Sequence, residues 1–314
     1  MKKSRKAAVI TAAVCIAAGL IISLAGEIQV GPTYDAIAVI QLPRGRQEGI
    51  PMHDPVSDEF SNIEINCAEF NIQILPSQDE TCKITSWEGK NPENSVDVEN
   101  GTLKIKSISK RKWYEHISIM IGQSRTVTIY LPKRDGAYGA LSANSAGGNI
   151  TLSSELEFNS VKLISVSGDI SAEFSKADSL HLQSTSGNVK AGGLAAASLT
   201  AKSTSGDIRL LDINAIKAIA TSVSGNITLE NFTAKETAQA AATSGDIKLK
   251  GFDANIYDLK TVSGNIKGTV KSPKSFKTST VSGNVDVPDI PDLSICSAST
   301  TSGDIKITVE QKKS

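Results

Sequence analysis

One tripeptide recurs at an almost constant interval through the second half of this 314-residue chain. It is Ser-Gly-Asn or Ser-Gly-Asp, and once Gly-Gly-Asn. Nine copies follow one another at intervals of 19 or 20 residues. A repeat of this length is typical of solenoid proteins, in which stacked units share one core. The glycines of the nine copies are Gly148, Gly168, Gly187, Gly206, Gly225, Gly245, Gly264, Gly283 and Gly303.

The residues around each glycine form columns that predict a strand on either side of it. The second residue after the glycine is Ile or Val in all nine copies, and β-branched residues favour strands. The fifth residue before it is Ala or Leu in every copy except that of Thr278. Because these positions are seven residues apart, one continuous strand would place them on opposite faces. Both face a core only if the chain turns at Ser-Gly, and we expect glycine to supply the backbone freedom for that corner.

A unit of two short strands cannot bury a core alone, so we expect the units to stack in chain order. The predicted fold class is all-β: a single-stranded parallel β-solenoid, or β-helix, with nine coils of 19–20 residues. Two columns would form hydrogen-bonded ladders along the stack. One holds Ser or Thr three residues before the glycine, except for Ala242 in one copy, and the other holds Asn or Asp directly after it. No two Asp are consecutive in the second column, which limits repulsion between neighbouring rungs.

The same columns divide the rest of the chain into regions. Residues 141–309 contain the regular repeats. Residues 60–140 are interpreted as degenerate early coils or a β-rich cap, with Phe70 in the glycine position of one coil. Residues 27–59 contain four prolines and are predicted to form an extended stalk or linker. The charged tail, residues 310–314, is expected to protect the last open strand edge from pairing with other chains.

The first 26 residues have the composition of a targeting segment. Four basic residues precede a run of small and apolar residues at 7–25, about the length that crosses a bilayer. Small residues at the end of this run also resemble a signal-peptide cleavage site. We therefore predict one of two outcomes. Either the segment is a retained transmembrane signal-anchor, with the C-terminal domain outside a single-pass cell membrane, or the chain is secreted after cleavage.

Charge and cysteine content exclude several classes of function. The chain has 33 basic and 33 acidic side chains, and four of the basic ones are in the first six residues. The remainder is therefore mildly acidic, which argues against nucleic acid as a partner because phosphates require a basic patch. Cys67, Cys82 and Cys296 have no histidine nearby, so a zinc site is not predicted. A disulfide between Cys67 and Cys82 stays open as an alternative.

The order of motifs resembles a known protein family. The segments FSNIEINCAEFNIQILPSQDE, VENGTLKIK and VTIYLPK precede the repeated TSGDI and VSGNI. Over about residues 57–309 this order is similar to the bacterial β-strand-repeat "putative adhesin" family of unknown function. The resemblance implies a solenoid at the cell envelope with an N-terminal membrane segment. It also implies a link with envelope-stress systems, and it implies no catalytic residue.

The repeat does not have the pattern of a catalytic, cofactor or metal site. The serines before the glycines recur regularly, whereas a nucleophile is one serine beside a base, and the chain has only three histidines. Asp169, Asp207, Asp246 and Asp304 supply one carboxylate per coil. Calcium takes six to eight oxygen ligands, and glycosidases use a pair of carboxylates. We therefore predict no catalytic residue, no cofactor, no metal and no enzymatic activity.

One cluster, KRKWYEHISIM at residues 110–120, combines aromatic and charged side chains. Trp113, Tyr114 and His116 are candidate contacts for a cell-wall glycan, a host matrix or a membrane protein. The alternative is that they plug one end of the solenoid.

The sequence as a whole predicts a surface-exposed, non-enzymatic β-solenoid, either adhesin-like or an envelope scaffold accessory to an envelope-stress response. Two rival hypotheses stay open. One is a carbohydrate-active enzyme on a β-helix, and the other is a structural rod that associates with itself end to end.

Overall fold

In the computed structural model, all regular secondary structure of the described residues is β-strand. The structure describes residues 50–51, 56, 59–86, 94–107, 126–153, 155–291 and 294–310. Within these ranges there is no helix with the length and apolarity needed to cross a membrane. The predicted signal-anchor segment, residues 1–26, and most of the predicted stalk lie outside the described residues.

The strands fall into three groups along the chain. The N-terminal strands are β1 (Ile50–Pro51), β2 (Asn62–Cys67), β3 (Asn71–Pro76), β4 (Lys83–Ser86), β5 (Asn94–Glu99), β6 (Thr102–Ser107) and β7 (Thr126–Leu131). The strands of the repeat region are β8 (Tyr138–Ser145), β9 (Ile150–Ser153), β10 (Glu157–Ser165), β11 (Ile170–Glu173), β12 (Lys176–Ser184), β13 (Val189–Ser203), β14 (Ile208–Ser222), β15 (Ile227–Glu230), β16 (Thr233–Ala242), β17 (Ile247–Lys260) and β18 (Ile266–Val270). The C-terminal strands are β19 (Ser275–Ser282), β20 (Val285–Asp286), β21 (Ile295–Ser302) and β22 (Ile305–Val309).

Strands of successive repeats pair in parallel, with identical positions opposite each other. Ile208 pairs with Val189 on one side and with Ile227 on the other. Ala201 and Ile208, on either side of the Gly206 corner, are both fully buried. The predicted parallel β-solenoid is therefore confirmed, but with about eight turns where nine coils were predicted. The stacked aliphatic columns form one continuous core, which no single turn could bury.

We call the stacked strands of one turn a rung. At the N-terminal end, the order in which the rungs stack departs from their order in the chain. The rung of β2 and β3 pairs with β8 and β9 on one side and with β6 and β7 on the other. The rung of β6 and β7 is therefore the outer one, although it follows β2 and β3 in the chain. On its far side, β5 pairs antiparallel with β6, and β4 pairs antiparallel with β7. These antiparallel strands complete the hydrogen bonding of that edge.

The last two rungs are also exchanged, which corrects the expectation of stacking in chain order. β21 and β22 pair with β17 and β18, whereas β19 and β20 pair with the far side of β21 and β22. Burial explains the exchange. Ala298 and Ile305 of the inner rung are fully buried, whereas the matching Thr278 and Val285 of the outer rung are partly exposed. The more apolar rung thus lies inside the stack, where burial stabilises most.

The exchange also corrects the expectation for the charged tail. The strand before the tail, β22, lies between β18 and β20, so it is not the edge strand at this end. The Glu310 carboxylate accepts a hydrogen bond from the Thr269 hydroxyl at 3.3 Å. Residues 311–314 lie outside the described residues. The outermost strands at this end are β19 and β20.

The corner glycines are required by close stacking, and not by the backbone freedom that we expected. From Gly148 to Gly264 none of the corner glycines has a positive φ. Instead, a Cβ added to Gly225 would lie 2.0 Å from the carbonyl oxygen of Gly206 in the rung below. The other corners show the same clash with the backbone of their neighbour. Only a residue without a side chain lets these backbones approach so closely.

Left-handed backbone does occur, but at a second corner that the sequence analysis missed. It lies six residues after four of the repeat glycines. Gly193, Asp212, Asn231 and Gly251 have φ of 65°, 52°, 48° and 58° there. Gly, Asn and Asp are the residues that best tolerate this conformation, so the column itself was a readable signal.

Gly225→Ala is expected to lower the free energy of unfolding by about 1–3 kcal/mol or more, because the new Cβ overlaps the Gly206 backbone. Gly147→Ala is the matched control, since its nearest contact would be the Ala68 carbonyl oxygen at 3.9 Å. Denaturant unfolding of both variants measures the difference. Equal stability of the two variants would contradict the stacking explanation.

Candidate functional site

The Asn/Asp column is a continuous hydrogen-bonded ladder. In each step, the side-chain oxygen of one rung accepts the backbone N–H of the Asn or Asp in the next. Asp207 Oδ1 accepts from the Asn226 backbone N–H at 2.7 Å, and Asn226 Oδ1 accepts from that of Asp246 at 3.0 Å. The Asn226 amide also donates to Asp207 Oδ1 at 3.2 Å. The column therefore joins rungs along the stack, as predicted for a ladder.

The exchange of the last two rungs makes the alternation of Asn and Asp complete. In the chain, Asn265 and Asn284 are consecutive members of the column. In the stack, Asp304 lies between them, donating its N–H to Asn265 Oδ1 and accepting that of Asn284, each at 3.0 Å. No two carboxylates are then neighbours between Asn149 and Asn284. The N–H of Asn265, donated to the Asp246 carboxylate, helps hold the pKa of that group below its ordinary value.

The hydroxyl column also links successive rungs, as expected, but it does so through backbone groups. Its serine hydroxyls each bridge two backbones. Ser222 Oγ accepts the Gly225 N–H at 2.9 Å and donates to the Gly206 carbonyl at 3.2 Å. Members that bridge in the same way are Ser145, Ser165, Ser184 and Ser203. A buried hydroxyl is stable there because both of its hydrogen-bonding roles are used.

The bridging hydroxyl can be tested in both directions, because Ala242 occupies the same column in one rung. Ser222→Ala is expected to cost about 1–3 kcal/mol, since it leaves buried backbone groups of Gly206 and Gly225 without this partner. Ala242→Ser is expected to add about 0.5–1.5 kcal/mol by supplying a bridge between Gly225 and Gly245. Thermal and denaturant unfolding of the two variants measure both effects. A loss of stability in both would contradict this role for the hydroxyl.

A buried polar cluster near the C-terminal end was not predicted from the sequence. The Asp253 carboxylate accepts hydrogen bonds from Tyr257 Oη at 3.0 Å, Ser272 Oγ at 2.8 Å and Lys274 Nζ at 2.9 Å. Lys274 is only 3 % exposed and lies 5.4 Å from the centre of the Tyr257 ring. Cys296 pairs with Tyr257 on the neighbouring strand and is also buried.

The groups of this cluster are held in fixed protonation states. Burial opposes the charge of Asp253, but the hydrogen bonds from Lys274, Ser272 and Tyr257 outweigh it, so its pKa lies below the ordinary value. Burial, together with the nearby carboxylate, raises the pKa of Tyr257 far above its usual range. Burial raises the pKa of Cys296 to about 12. A neutral thiol and a neutral phenol beside a closed ion pair do not make an activated nucleophile.

The position of the cluster indicates a structural role in the exchange of rungs. Ser272 and Lys274 belong to the segment that leaves β18 and enters the outermost strand, β19. Asp253 and Tyr257 belong to β17, two rungs further in. The ion pair therefore fixes the segment by which the chain passes β17 to reach the outer rung. Buried ion pairs specify one arrangement among alternatives in some proteins, and we expect this pair to do so here.

Asp253→Asn is expected to destabilise the protein by about 2–3 kcal/mol, since it leaves the Lys274 ammonium buried without its counter-charge. Lys274→Met is the control and should cost less, because Asp253, whose side chain is 29 % exposed, keeps two donors and some contact with water. Unfolding of both variants at pH 7 measures the two costs.

The same comparison gives a pH dependence. Because the pKa of Asp253 in the folded protein is below its ordinary value near 4, the ionised carboxylate stabilises the fold at pH values above about 4. This contribution is lost as the pH falls through the folded pKa. The gap between the parent protein and Asp253→Asn should therefore be constant from pH 5 to 8 and shrink below about pH 4. A gap that stays constant into strong acid would show that the ion pair is not its cause.

A shallow groove of about 370 Å³ crosses the middle rungs. It lies where the column that holds Phe158 in an early rung continues with Ala177, Ala196 and Ala215. Lys176 and Lys235 lie among its lining residues. The groove is at the lower end of the size range of ligand pockets.

Several sequence-predicted residues can now be placed. Trp113, Tyr114 and His116 lie outside the described residues. Cys67, Cys82 and Cys296 are buried free thiols in this structure, so the Cys67–Cys82 disulfide is not formed. Within the described ranges no three His, Cys, Asp or Glu side chains converge as metal ligands.

The stacked corners, the two ladders and the in-register pairing define this protein as a parallel β-solenoid. The chain matches the model of one family, Toastrack DUF4097, over residues 60–308, and it belongs to that family. The resemblance inferred from its motifs is confirmed.

Solved structures share the fold at low sequence identity. A "putative lipid binding protein" from Parabacteroides distasonis is 17 % identical, with a TM-score of 0.52, over 83 % of this chain and 97 % of its own. A "putative adhesin" from Bacteroides fragilis is 18 % identical, with a TM-score of 0.43, over 80 % of this chain and 93 % of its own. The comparison with curated proteins gave no match. The first of these likenesses bears on the fold alone.

Proposed function

We propose that this protein is a non-enzymatic solenoid displayed outside the cell membrane, where it acts as an adhesin-like or scaffolding component of the envelope. In this proposal, the N-terminal segment is the anchor and residues 60–309 are the displayed part. The family and the sequence-level resemblance support this function more than catalysis.

The observation that carries the proposal is that the repeated polar residues form hydrogen bonds between stacked rungs. The residue types that a repeat enzyme would use are Ser, Asp and Asn, and here they are engaged in the corners. Ser222 bridges two backbones, and Asp207 accepts two hydrogen bonds from Asn226. These groups stabilise stacking, and in the described part of the chain no three His, Cys, Asp or Glu side chains gather around them. A chain that uses its polar residues to extend a rigid stack is suited to display and scaffolding.

The sides of the solenoid favour a protein or glycan partner over a polyanion. Exposed side chains of opposite charge pair between neighbouring rungs, for example Lys190 with Glu173 at 2.6 Å and Arg209 with Glu230 at 3.0 Å. Such pairs contribute little stability, but they balance charge along the face. A charge-balanced surface does not concentrate the positive potential that nucleic acid or anionic lipid requires.

The first test combines location with binding. Protease added to intact cells should remove a C-terminal epitope tag from the full-length chain and leave a cytoplasmic marker intact. Purified full-length protein should co-sediment with isolated cell walls of its own organism. Sedimentation with host matrix alone would favour the adhesin form of the proposal over the scaffold form.

A matched pair of variants tests the predicted contact cluster. Simultaneous Trp113→Ala, Tyr114→Ala and His116→Ala should reduce the bound fraction at least about fivefold, which corresponds to about 1 kcal/mol. The control replaces three exposed corner valines, Val166, Val223 and Val262, by alanine and should bind like the parent chain. A protected epitope, or binding to neither wall nor matrix, would refute the proposal.

A further inference from the structure

The outer side of the Ser-Gly corner carries a second pattern, which stacking does not explain. Two residues before the glycine, the exposed side chain is Thr or Val over much of the stack. In stacking order it is Thr204, Val223, Thr243, Val262, Thr301 and Val281. Threonine and valine therefore alternate over six successive rungs, and this part of the corner repeats every two rungs, about 10 Å.

This alternation belongs to the stack and not to the order of the chain. In the chain, Val262 and Val281 are successive members of the column, but the exchange of the last two rungs places Thr301 between them. Duplication of a unit of two coils would not give this result. Repulsion between carboxylates explains why Asn and Asp alternate, but it does not act between uncharged threonine and valine. A partner molecule that itself repeats every two rungs would account for the pattern.

The unused hydrogen-bonding groups of the corner have the same period. Asp207 and Asp246 accept their ladder hydrogen bonds at Oδ1, and Oδ2 has no hydrogen-bond partner among the described residues. Between them, the Asn226 amide donates to Asp207 and its oxygen accepts the Asp246 N–H. The hydroxyls of Thr204 and Thr243 have no partner in the described part of the chain. Beyond the serine that every rung carries, free polar groups thus occur only on alternate rungs.

We propose that this corner, from the rung of Thr204 to that of Thr301, binds an extended β-1,4-linked glycan that lies along the stack. The inference rests on the proposed display at the envelope and names the chemical class of the partner. In such a glycan each sugar advances the chain by roughly the spacing between neighbouring strands. Successive sugars are turned over, so every second sugar presents the same edge. One sugar then lies over each rung, and the first, third and fifth meet Thr and Asp.

The chemistry of the two kinds of rung fits this arrangement. A threonine hydroxyl and the free oxygen of an aspartate exchange hydrogen bonds with sugar hydroxyls, and a charged acceptor makes the stronger bond. Valine carries no hydrogen-bonding group, so the rungs between act as spacers. An uncharged glycan also agrees with the charge balance of the sides. A peptide strand along the stack would repeat its faces about every 7 Å and fall out of step with the corner.

The test is the length dependence of binding, measured by calorimetry on the full-length chain in a mild detergent. The probes are β-1,4-linked oligomers of N-acetylglucosamine with two to six sugars. Because the corner is a ridge with sites two sugars apart, affinity should rise at least about fivefold from two to three sugars and again from four to five. The fourth and sixth sugars should each add less than about twofold. Oligomers of β-1,3-linked glucose should not bind.

A matched pair of variants assigns the binding to this corner. Thr243→Val with Asp246→Asn removes the free groups of the central rung but keeps an oxygen for the ladder. It should lower the affinity for the three-sugar and five-sugar oligomers at least about tenfold. Thr185→Val with Asp169→Asn makes the same chemical change in the same two columns, outside the alternating segment. This control should bind like the parent chain, and both variants should keep its circular dichroism spectrum.

Three results would overturn the proposal: no binding at any length, a steady rise with each added sugar, or equal weakening by the two variants. None of them bears on display at the envelope, which the protease and sedimentation experiments decide. Stepwise binding of the oligomers together with a protected C-terminal epitope would refute display and keep the glycan site.

Discussion

The structure depends on one close contact, the stacking of each corner glycine on the carbonyl group of the glycine in the next rung. A Cβ at Gly225 would lie 2.0 Å from the Gly206 oxygen, so the rungs can reach strand spacing at this corner only without side chains. Once the corners stack, the strands on either side come into register. The buried hydroxyl of a residue such as Ser222 then lies within reach of both backbones. The hydrophobic core and the ladders are consequences of this stacking.

The second constraint is that a stack has two ends, each with an unpaired edge. The protein treats them differently. Antiparallel strands cover the N-terminal edge, whereas at the C-terminal end the more polar rung is placed outermost. The ion pair of Lys274 with Asp253 holds the segment that makes this exchange. The polar character of Thr278, which departs from its column in the sequence, is explained by this terminal position. Each end therefore keeps a strand, β5 or β19, whose outer edge pairs with no other strand of the described residues.

The functional proposal follows from where the polar groups are engaged. In the repeat region, serine, asparagine and aspartate join rungs along the stack. Burial raises the pKa of Tyr257 and of Cys296, and Lys274 is ion-paired with Asp253. Function is therefore expected at surfaces: at the displayed sides and at the segment around Trp113. This arrangement is consistent with the non-enzymatic scaffold that we propose.

The sequence by itself determined the repeat, the two strands around each corner and the solenoid, because every turn has the same neighbours and one period fixes the core columns. It also contained the left-handed column at Gly193 and Asp212, which was readable but overlooked. The tertiary structure alone decided the order of the terminal rungs. Ala298 and Thr278 occupy the same inward position of their repeats, and only the competition for burial places the rung of Ala298 inside the stack. It also decided why glycine is needed, because the clash is with a residue 19 positions away in the chain. The Asp253–Lys274 pair could not be predicted for a related reason. The two residues meet because the chain skips one rung position after β18, and β21 and β22 fill that position later.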